Sequence, residues 1–470
     1  MSATDPLDDV ANRPVRDEQT KLPSWRWEAL RTTFWLVPTV LVVVAALLFL
    51  VTFRIDLAAY HHQLTLPFWI HRTGSTDAGR QVLIAIAAAV ITVIGVVFSI
   101  TILALTLASQ QFGPRMMRNF VRDWGNQLTL GVFVGTFVYS VLALGSMSGD
   151  FVPHLSITVA EALLLVDLGV LIYFIHHIAK SIQLPEVIAD IARDLTRAID
   201  AEFPVPNPNS EKFTEKRVGR SVAELSQLLD ERGVVVPSST SGYLQFVGYA
   251  QLVEIAVWTD SVIRLDHRPG HFIATGQPLA TVWPGGAGGQ VALALSKAHV
   301  SGPHRTLMQD PVFAIDQLVE IAIRALSPAV NDTFTALTCI DWLSAGLSQV
   351  SSRPLAEGLY RDRFGRVRLI ETGPSYARMV NRAFDKIRQS SAGMPAVIIR
   401  MLDALNSVAF STVTPEQRHV LTRQAEMILR SAEESVSEEN DLEEIRIRHR
   451  RMVAVTLGAG NSGGQSLVLW

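Results

Sequence analysis

The residues Gln81–Leu107 constrain this chain more than any other stretch. For 27 residues only Gln81 and a few hydroxyls interrupt an apolar run, and ~20 such residues are enough to carry a helix across a bilayer. On a wheel of ~100° per residue, Thr92, Gly95, Ser99, Thr106, Gln110 and Gly113 gather within roughly one sixth of a turn. The opposite face is Ile, Val, Ala and Leu. A line of small and hydroxyl residues on a membrane helix packs against a neighbour, lines a water-filled path or walls a buried ligand cleft. If it lines a pore, Thr92, Ser99, Leu103, Thr106 and Gln110 face the path, with Leu103 as an apolar constriction.

Directly after this run, Gly113-Pro114 breaks the helix and opens a new one, because proline suits a first helical turn. Arg115, Arg118 and Arg122 share one face of the new helix, and Met116, Phe120 and Trp124 the other. That pattern predicts a helix lying in the membrane interface, its arginines toward headgroup phosphates or around the mouth of a pore.

Three more runs have membrane length: Phe34–Phe53, Leu128–Gly149 and Leu155–Ala179. The third span carries Gly131 and Gly135 at small-xxx-small spacing, a helix-contact signal. The fourth holds two acids, Glu161 and Asp167. Ionisable groups at such depth are costly and point into a bundle or a cavity. The arginines of the 113–126 loop, with Lys21, Arg26 and Arg31 before the first span, place both termini in the cytoplasm of a multi-pass cell-membrane protein. The first apolar run is too long for the core of a signal peptide.

A chain of 470 residues that is 49% hydrophobic, with mean hydropathy +0.26, suits a membrane part joined to a large soluble part. Its net charge of −3 gives no electrostatic case for nucleic acid. The single Cys339 excludes an intrachain disulfide and reads as inert core. His61, His62 and His71 lack the pairing of a metal site, and no metal or cofactor is expected. Neither a P-loop, a G-x-S-x-G nor an H-E-x-x-H is present, so the chain does not read as an enzyme.

The soluble part opens with an amphipathic helix at Leu184–Phe203, a Pro/Asn-rich linker at Pro204–Lys216 and a helix over Arg217–Arg232. Strands are predicted at Val234–Val236, Ser241–Val247, Ser261–Asp266, His271–Ala274 and Pro278–Trp283, with a helix at Tyr249–Trp258. Helices follow at Asp310–Ile323 and Phe334–Val350, then a hairpin over Tyr360–Glu371, then three or four helices from Ser375 to Arg451. The charged run Glu433–Arg451 suits a solvated or subunit-bridging helix. The Gly/Ser run Gly458–Gln465 reads as a flexible tail. Asn331 and Asp332 cap the helix after Ala325-Leu-Ser-Pro328, or join Arg305, Gln309 and Asp310 in one polar cluster.

The fold class expected is an α-helical membrane domain of four transmembrane helices, plus a mixed α+β cytoplasmic domain with a small barrel-like β element and a helical C-terminal part. The boundaries expected are 1–33, 34–180, 181–233, 234–290 and 291–470. The barrel expectation comes from Arg268-Pro-Gly-His-Phe-Ile-Ala-Thr-Gly-Gln-Pro-Leu-Ala280, which resembles the hammerhead hairpin of biotinyl/lipoyl-type domains. No lysine sits at a hairpin tip there, so a covalent carrier role does not follow.

The stretch from Phe98 to Phe120, together with Tyr173-Phe-Ile-His-His-Ile-Ala179, Ser241-Gly-Tyr-Leu-Gln245, Arg268-Pro-Gly270, Arg305-Thr-Leu-Met-Gln-Asp310 and Ala325-Leu-Ser-Pro-Ala-Val-Asn-Asp332, resembles a bacterial family of predicted membrane proteins, domain of unknown function 2254. The family often continues Asn-Asp with Pro, where this chain has Thr333. The resemblance brings no activity with it.

Two functions are therefore weighed. One is a homo-oligomeric channel, trimer to heptamer with five favoured, whose second span lines a pore on the symmetry axis. The other is a membrane-anchored sensor or scaffold whose cytoplasmic domain binds a small molecule or protein. The partners expected are the lipid bilayer and further copies of the chain.

Overall fold

A computed structural model describes residues 35–62, 75–112 (side chains to 107), 123–148, 151–181, 183–203, 220–353, 358–373 and 375–457. Outside these lie the N-terminal tail, His71, the side chain of Gln110, the interfacial helix of Arg115, Arg118 and Arg122, the linker after Phe203 and the Gly/Ser tail. The described residues divide into two compact units, 35–187 and 188–457.

The first unit is four helices long and apolar enough to cross a membrane: α1 Leu36–His62, α2 Thr76–Phe112, α3 Trp124–Gly145 and α4 His154–Ser181. Their outward Ile, Leu and Val side chains, such as Leu165 and Ile172, make the lipid-contacting surface. Helix α3 packs against all three others. A Cβ on Gly131 would come within 2.5 Å of Leu41 and 3.0 Å of Pro38, and one on Gly135 within 3.4 Å of Ala45. The glycine face is therefore filled by α1 of the same chain, where backbones approach closely, and lends no support to assembly between copies.

One end of this unit is tied by hydrogen bonds. Asp56 on α1 accepts the N–H groups of Leu155 (2.8 Å) and Ser156 (2.9 Å) and the Ser156 hydroxyl (2.8 Å). These are orphan donors in the first turn of α4, and a carboxylate there also suits the helix dipole. Thr52 extends the network, with its hydroxyl 2.8 Å from that of Tyr139 and 3.2 Å from that of Ser156. Elsewhere Asp123 caps α3 through the Gly125 N–H (2.9 Å) and pairs with His177, which stacks on Tyr173.

The second unit begins with α5, Leu184–Glu202, and α6, Val222–Arg232. Strands β1 Val234–Pro237, β2 Gly242–Val247, β3 Val262–Leu265, β4 Phe272–Ile273, β5 Pro278–Trp283 and β6 His299–Gly302 surround α7 Tyr249–Trp258 and α8 Gly288–Ala298. Then come α9 Pro311–Ala325, α10 Thr333–Ser351, β7 Leu359–Arg361, β8 Val367–Glu371, α11 Tyr376–Ser390, α12 Pro395–Phe410, α13 Pro415–Ser435 and α14 Glu439–Thr456.

The strands make two sheets, in the orders β1-β5-β3-β8-β7 and β4-β2-β6. The barrel-like element expected from the hammerhead resemblance is not found among them. The five-stranded sheet gathers strands from two distant stretches, because β8 pairs parallel with β3, Ile263 opposite Leu369. Leu244, Ile263, Val282 and Leu369 form a core with Leu252 of α7 and Val291 and Leu295 of α8. Helix α8 and strand β6 lie outside the elements expected from the sequence; the glycines at 285, 286, 288 and 289 obscure the helical spacing of α8.

The later helices form a layer in which α10 packs on α9 and α12, and α14 on α12 and α13. The charged run from Glu433 is split between α13 and α14, with Glu438 as the N-cap of α14. Its charges pair within the chain, Arg446 with Glu439 and Arg448 with Glu444 and Asp403, so it lends no support to a subunit-bridging role. The end of α5 is closed by Arg353, which donates to the carbonyls of Ile199 (3.2 Å) and Phe203 (2.7 Å) and pairs with Asp200. A cation at a helix C-terminus satisfies orphan carbonyls.

Candidate functional site

Three of the sequence phrases meet through the backbone of β2. The carbonyl of Leu244 accepts the Gly270 N–H (2.8 Å), and the Leu244 N–H donates to the His271 carbonyl (2.9 Å). Gln309 pairs with both backbone groups of Val247, at 2.8 and 3.0 Å. Gln245 donates to the His304 carbonyl. The Arg268-Pro-Gly loop and the Arg305–Asp310 loop are thus held side by side on one strand.

A cluster of charges fills the space behind them. Asp310 is 5% exposed and pairs with Arg305, which also reaches Asp316 at 2.6 Å. Arg382 of α11 approaches the other oxygen of Asp316 at 3.4 Å. Glu371, at the end of β8, accepts the hydroxyls of Tyr249 (2.6 Å) and Tyr360 (3.2 Å), whose rings are stacked 4.8 Å apart. Arg268 is buried and donates to Nε2 of His271 at 3.2 Å, which requires that nitrogen to be unprotonated.

The electrostatics follow from burial. It pushes the Glu371 carboxyl up, against the two tyrosine hydroxyls that hold its charged form. It also raises Asp310 in opposition to Arg305. His271 is pushed down to about 4 by burial and by the charges of Arg268 and Arg378. Glu202, at the end of α5, is pushed up to about 7 by burial and by the nearby charge of Glu371, with Arg268 opposing. The cluster therefore holds a neutral histidine, His271, and in Glu202 a carboxyl that gains or loses its proton near neutral pH. Buried groups so perturbed mark functional sites more often than chance, though ion-pair networks also perturb them.

Of the five residues expected to meet, Arg305 and Asp310 pair, and Gln309 braces them through β2. Asn331 and Asp332 lie apart from that pairing. Asn331 has φ +51, and Asp332 caps α10 by accepting from the Thr335 N–H (3.1 Å) and hydroxyl (2.6 Å). No hydrogen bond or ion pair among the described residues joins them to Arg305 or Asp310. Cys339 is fully buried, and its thiol is pushed up to about 12 by burial and the Asp332 charge, which suits inert core. Tyr249, Glu202 and Glu371 went unremarked in the sequence, since single acids and tyrosines at element ends carry no spacing signal.

In the membrane unit, Asp167 is 2% exposed, and one of its oxygens accepts the Thr136 hydroxyl at 3.1 Å. Glu161 lies partly buried on the same helix. The described part of the α2 stripe faces away from the other three helices. Thr92, Ser99, Leu103 and Thr106 are exposed, and a Cβ on Gly95 would meet nothing within 4 Å. The hydroxyls of Thr92, Ser99 and Thr106 return their protons to the carbonyls of Ala88, Gly95 and Ile102. The packed face, with Leu83, Ile86, Val90, Val97 and Ala104, lies nearly opposite. Among the described residues, packing against α1, α3 or α4 is thus not what the stripe is for.

The family model of predicted membrane proteins designated DUF2254 matches residues 31–407. The chain belongs to this family. Uncharacterised proteins of Mycobacterium tuberculosis and Mycobacterium bovis are each 33% identical over 379 residues, covering 78% of this chain and 71% of the relative. No solved structure matches. The family match includes the Arg268-Pro-Gly and Arg305–Asp310 loops and ends before α13 and α14.

Proposed function

We propose that this DUF2254 protein is a homo-oligomeric channel of the cell membrane for ions or small solutes, with α2 of each copy lining an axial pore. The observation that carries this reading is the exposed stripe on α2. Ala85, Ala88, Thr92, Gly95, Ser99 and Thr106 are small, exposed and aligned, while Ile84, Ile91, Phe98 and Ile102 make an adjacent bulky face. Lipid suits the bulky face; the small one suits water or another copy. Hydroxyls already bonded to their own helix still offer lone pairs to a water column. Leu103, 58% exposed in the same line, then forms the narrowest apolar ring, which closes a pore by dewetting. Four spans leave little room for a path inside one copy, so the path lies on a symmetry axis of three to seven copies, five favoured.

Planar-bilayer recordings of wild type and Leu103→Ser, run beside size-exclusion profiles, test the reading. A polar ring gives a leaky, gain-of-conductance protein with an unchanged oligomer. Unchanged flux with a broken oligomer defeats it and makes the stripe a packing face. Native mass spectrometry that finds only monomer in mild detergent removes the axis altogether. The arginines of the 113–126 loop support a topology with both termini in the cytoplasm. A reporter active only in the cytoplasm, fused to Trp470, should work there.

The second reading is a membrane-anchored sensor without a pore, and the buried charged cluster behind β2 favours it. The same recordings separate the two, since a sensor shows no conductance in either protein.

A further inference from the structure

Helix α11, with Arg423 of α13, lines an open groove of about 590 Å³, a volume within the ~300–1,000 Å³ range of small-molecule sites. Its lining is basic. Arg378, Arg382 and Lys386 recur every four residues on α11, so they form one line along its wall. Arg423 enters from α13 and donates to the Asn381 side chain at 3.1 Å. Asp385 is the acid in the lining, and its carboxylate accepts from Gln424. Among the described residues no acid pairs with Arg378, Lys386 or Arg423. Arg382 alone is shared, with Asp316 at 3.4 Å. Four cations against one acid leave a concave surface with a net excess of positive charge.

We propose that this groove binds a small molecule carrying two or more phosphate groups. The cations are spread along ~12 Å of helix, at ~1.5 Å per residue from Arg378 to Lys386. A single phosphate cannot reach both ends of such a line, whereas linked phosphates can. Arginine forks match phosphate oxygens in pairs, and lysine adds a point charge. The lining includes no aromatic ring, so recognition falls on the phosphates and not on a stacked base. Concave cationic walls also concentrate such anions from solution. The site is independent of any pore on α2.

Linked phosphates have two sources, a soluble polyphosphate and a two-phosphate lipid headgroup. The experiment is calorimetric titration of the full-length protein in neutral detergent at low salt, with inorganic pyrophosphate, with ATP and with cardiolipin micelles as separate arms. The same titrations are run on the double variant Lys386→Gln/Arg423→Gln, whose changed side chains are exposed and leave the core untouched. Saturable binding that weakens with added salt, and at least a fivefold loss of affinity in the variant, is expected in one or more arms. Response in the pyrophosphate or ATP arm assigns a soluble ligand, and response to cardiolipin alone assigns a lipid. No saturable binding in any arm, or a loss in the variant of less than fivefold, overturns the site.

Discussion

Gly270 and Asp310 occupy a space too small for a methyl group and a carboxylate together: a Cβ built on Gly270 would lie 2.1 Å from Oδ2 of Asp310. Gly270 also has φ +90, a conformation that L side chains rarely adopt. Replacing it should therefore strain the backbone and push Asp310 off Arg305. Gly270→Ala is expected to lower stability by about 3 kcal/mol, the sum of a strained residue and a disturbed buried pair. Gly276, with φ +85 and open space around it, is the control. Gly276→Ala should cost only about 1 kcal/mol, from strain alone. Thermal unfolding of both variants in the same detergent compares them, and equal losses would mean that the contact with Asp310 does not matter.

Asp310→Ala should cost about 3 kcal/mol, because it leaves a half-buried arginine with one carboxylate where there were two. The loss should shrink when Arg305→Met is made as well, since the unpaired charge is then gone. A double-mutant cycle in which the two losses simply add would show that the pair is not coupled.

Glu202 makes stability depend on pH. Its folded pKa, raised to about 7, exceeds the ordinary value of 4.5. The folded state thus holds a proton that the unfolded chain releases between those values. Its stabilising contribution is complete below about pH 4.5 and is lost as the pH rises through 7. Glu202→Gln should remove that dependence. The variant should be more stable than wild type by about 1–2 kcal/mol at pH 8, a linkage value reduced for partial exposure, and no more stable at pH 4. Chemical denaturation at the two pH values checks the difference, and a gain at pH 4 as large as at pH 8 would contradict it.

Asp56 anchors α4 from a neighbouring helix. Asp56→Ala leaves the N–H groups of Leu155 and Ser156 without their acceptor and should lower stability by about 2 kcal/mol. Asp56→Asn keeps one acceptor and should fall between alanine and wild type. Loss of helical circular dichroism on titration with sodium dodecyl sulfate ranks the three. An Asp56→Ala protein as resistant as wild type would remove Asp56 from this role.

What could be read from residues alone was local. Tyr249–Trp258 and Pro278–Trp283 have the expected bounds, because each is flanked by a glycine, proline or turn residue that stops it. The four spans were legible from length and hydropathy, although α1 runs nine residues past Phe53, to His62. Which wall a face packs against was not legible: Gly131 and Gly135 announce a close approach, but nothing in their spacing says that Leu41 and Ala45 supply it. The charged site was half legible. Arg305 and Asp310 stand close in sequence, whereas Tyr249 and Glu371, which are hydrogen-bonded to each other, lie 122 residues apart and leave no local pattern.

The parallel pairing of β3 with β8 sets an order of events during synthesis. Strand β3 ends at Leu265, and β8 begins at Val367, so about a hundred residues must be added before the partner of β3 exists. At ~5–20 residues per second the ribosome takes roughly 5–20 s to supply it. Once β5 has followed at Trp283, β1, β5 and β3 can pair while β3 shows a bare edge, a template for any other extended chain. Nascent chains of this protein crowded on one messenger are thus most exposed to cross-pairing after Leu265 has emerged and before Glu371 has followed it.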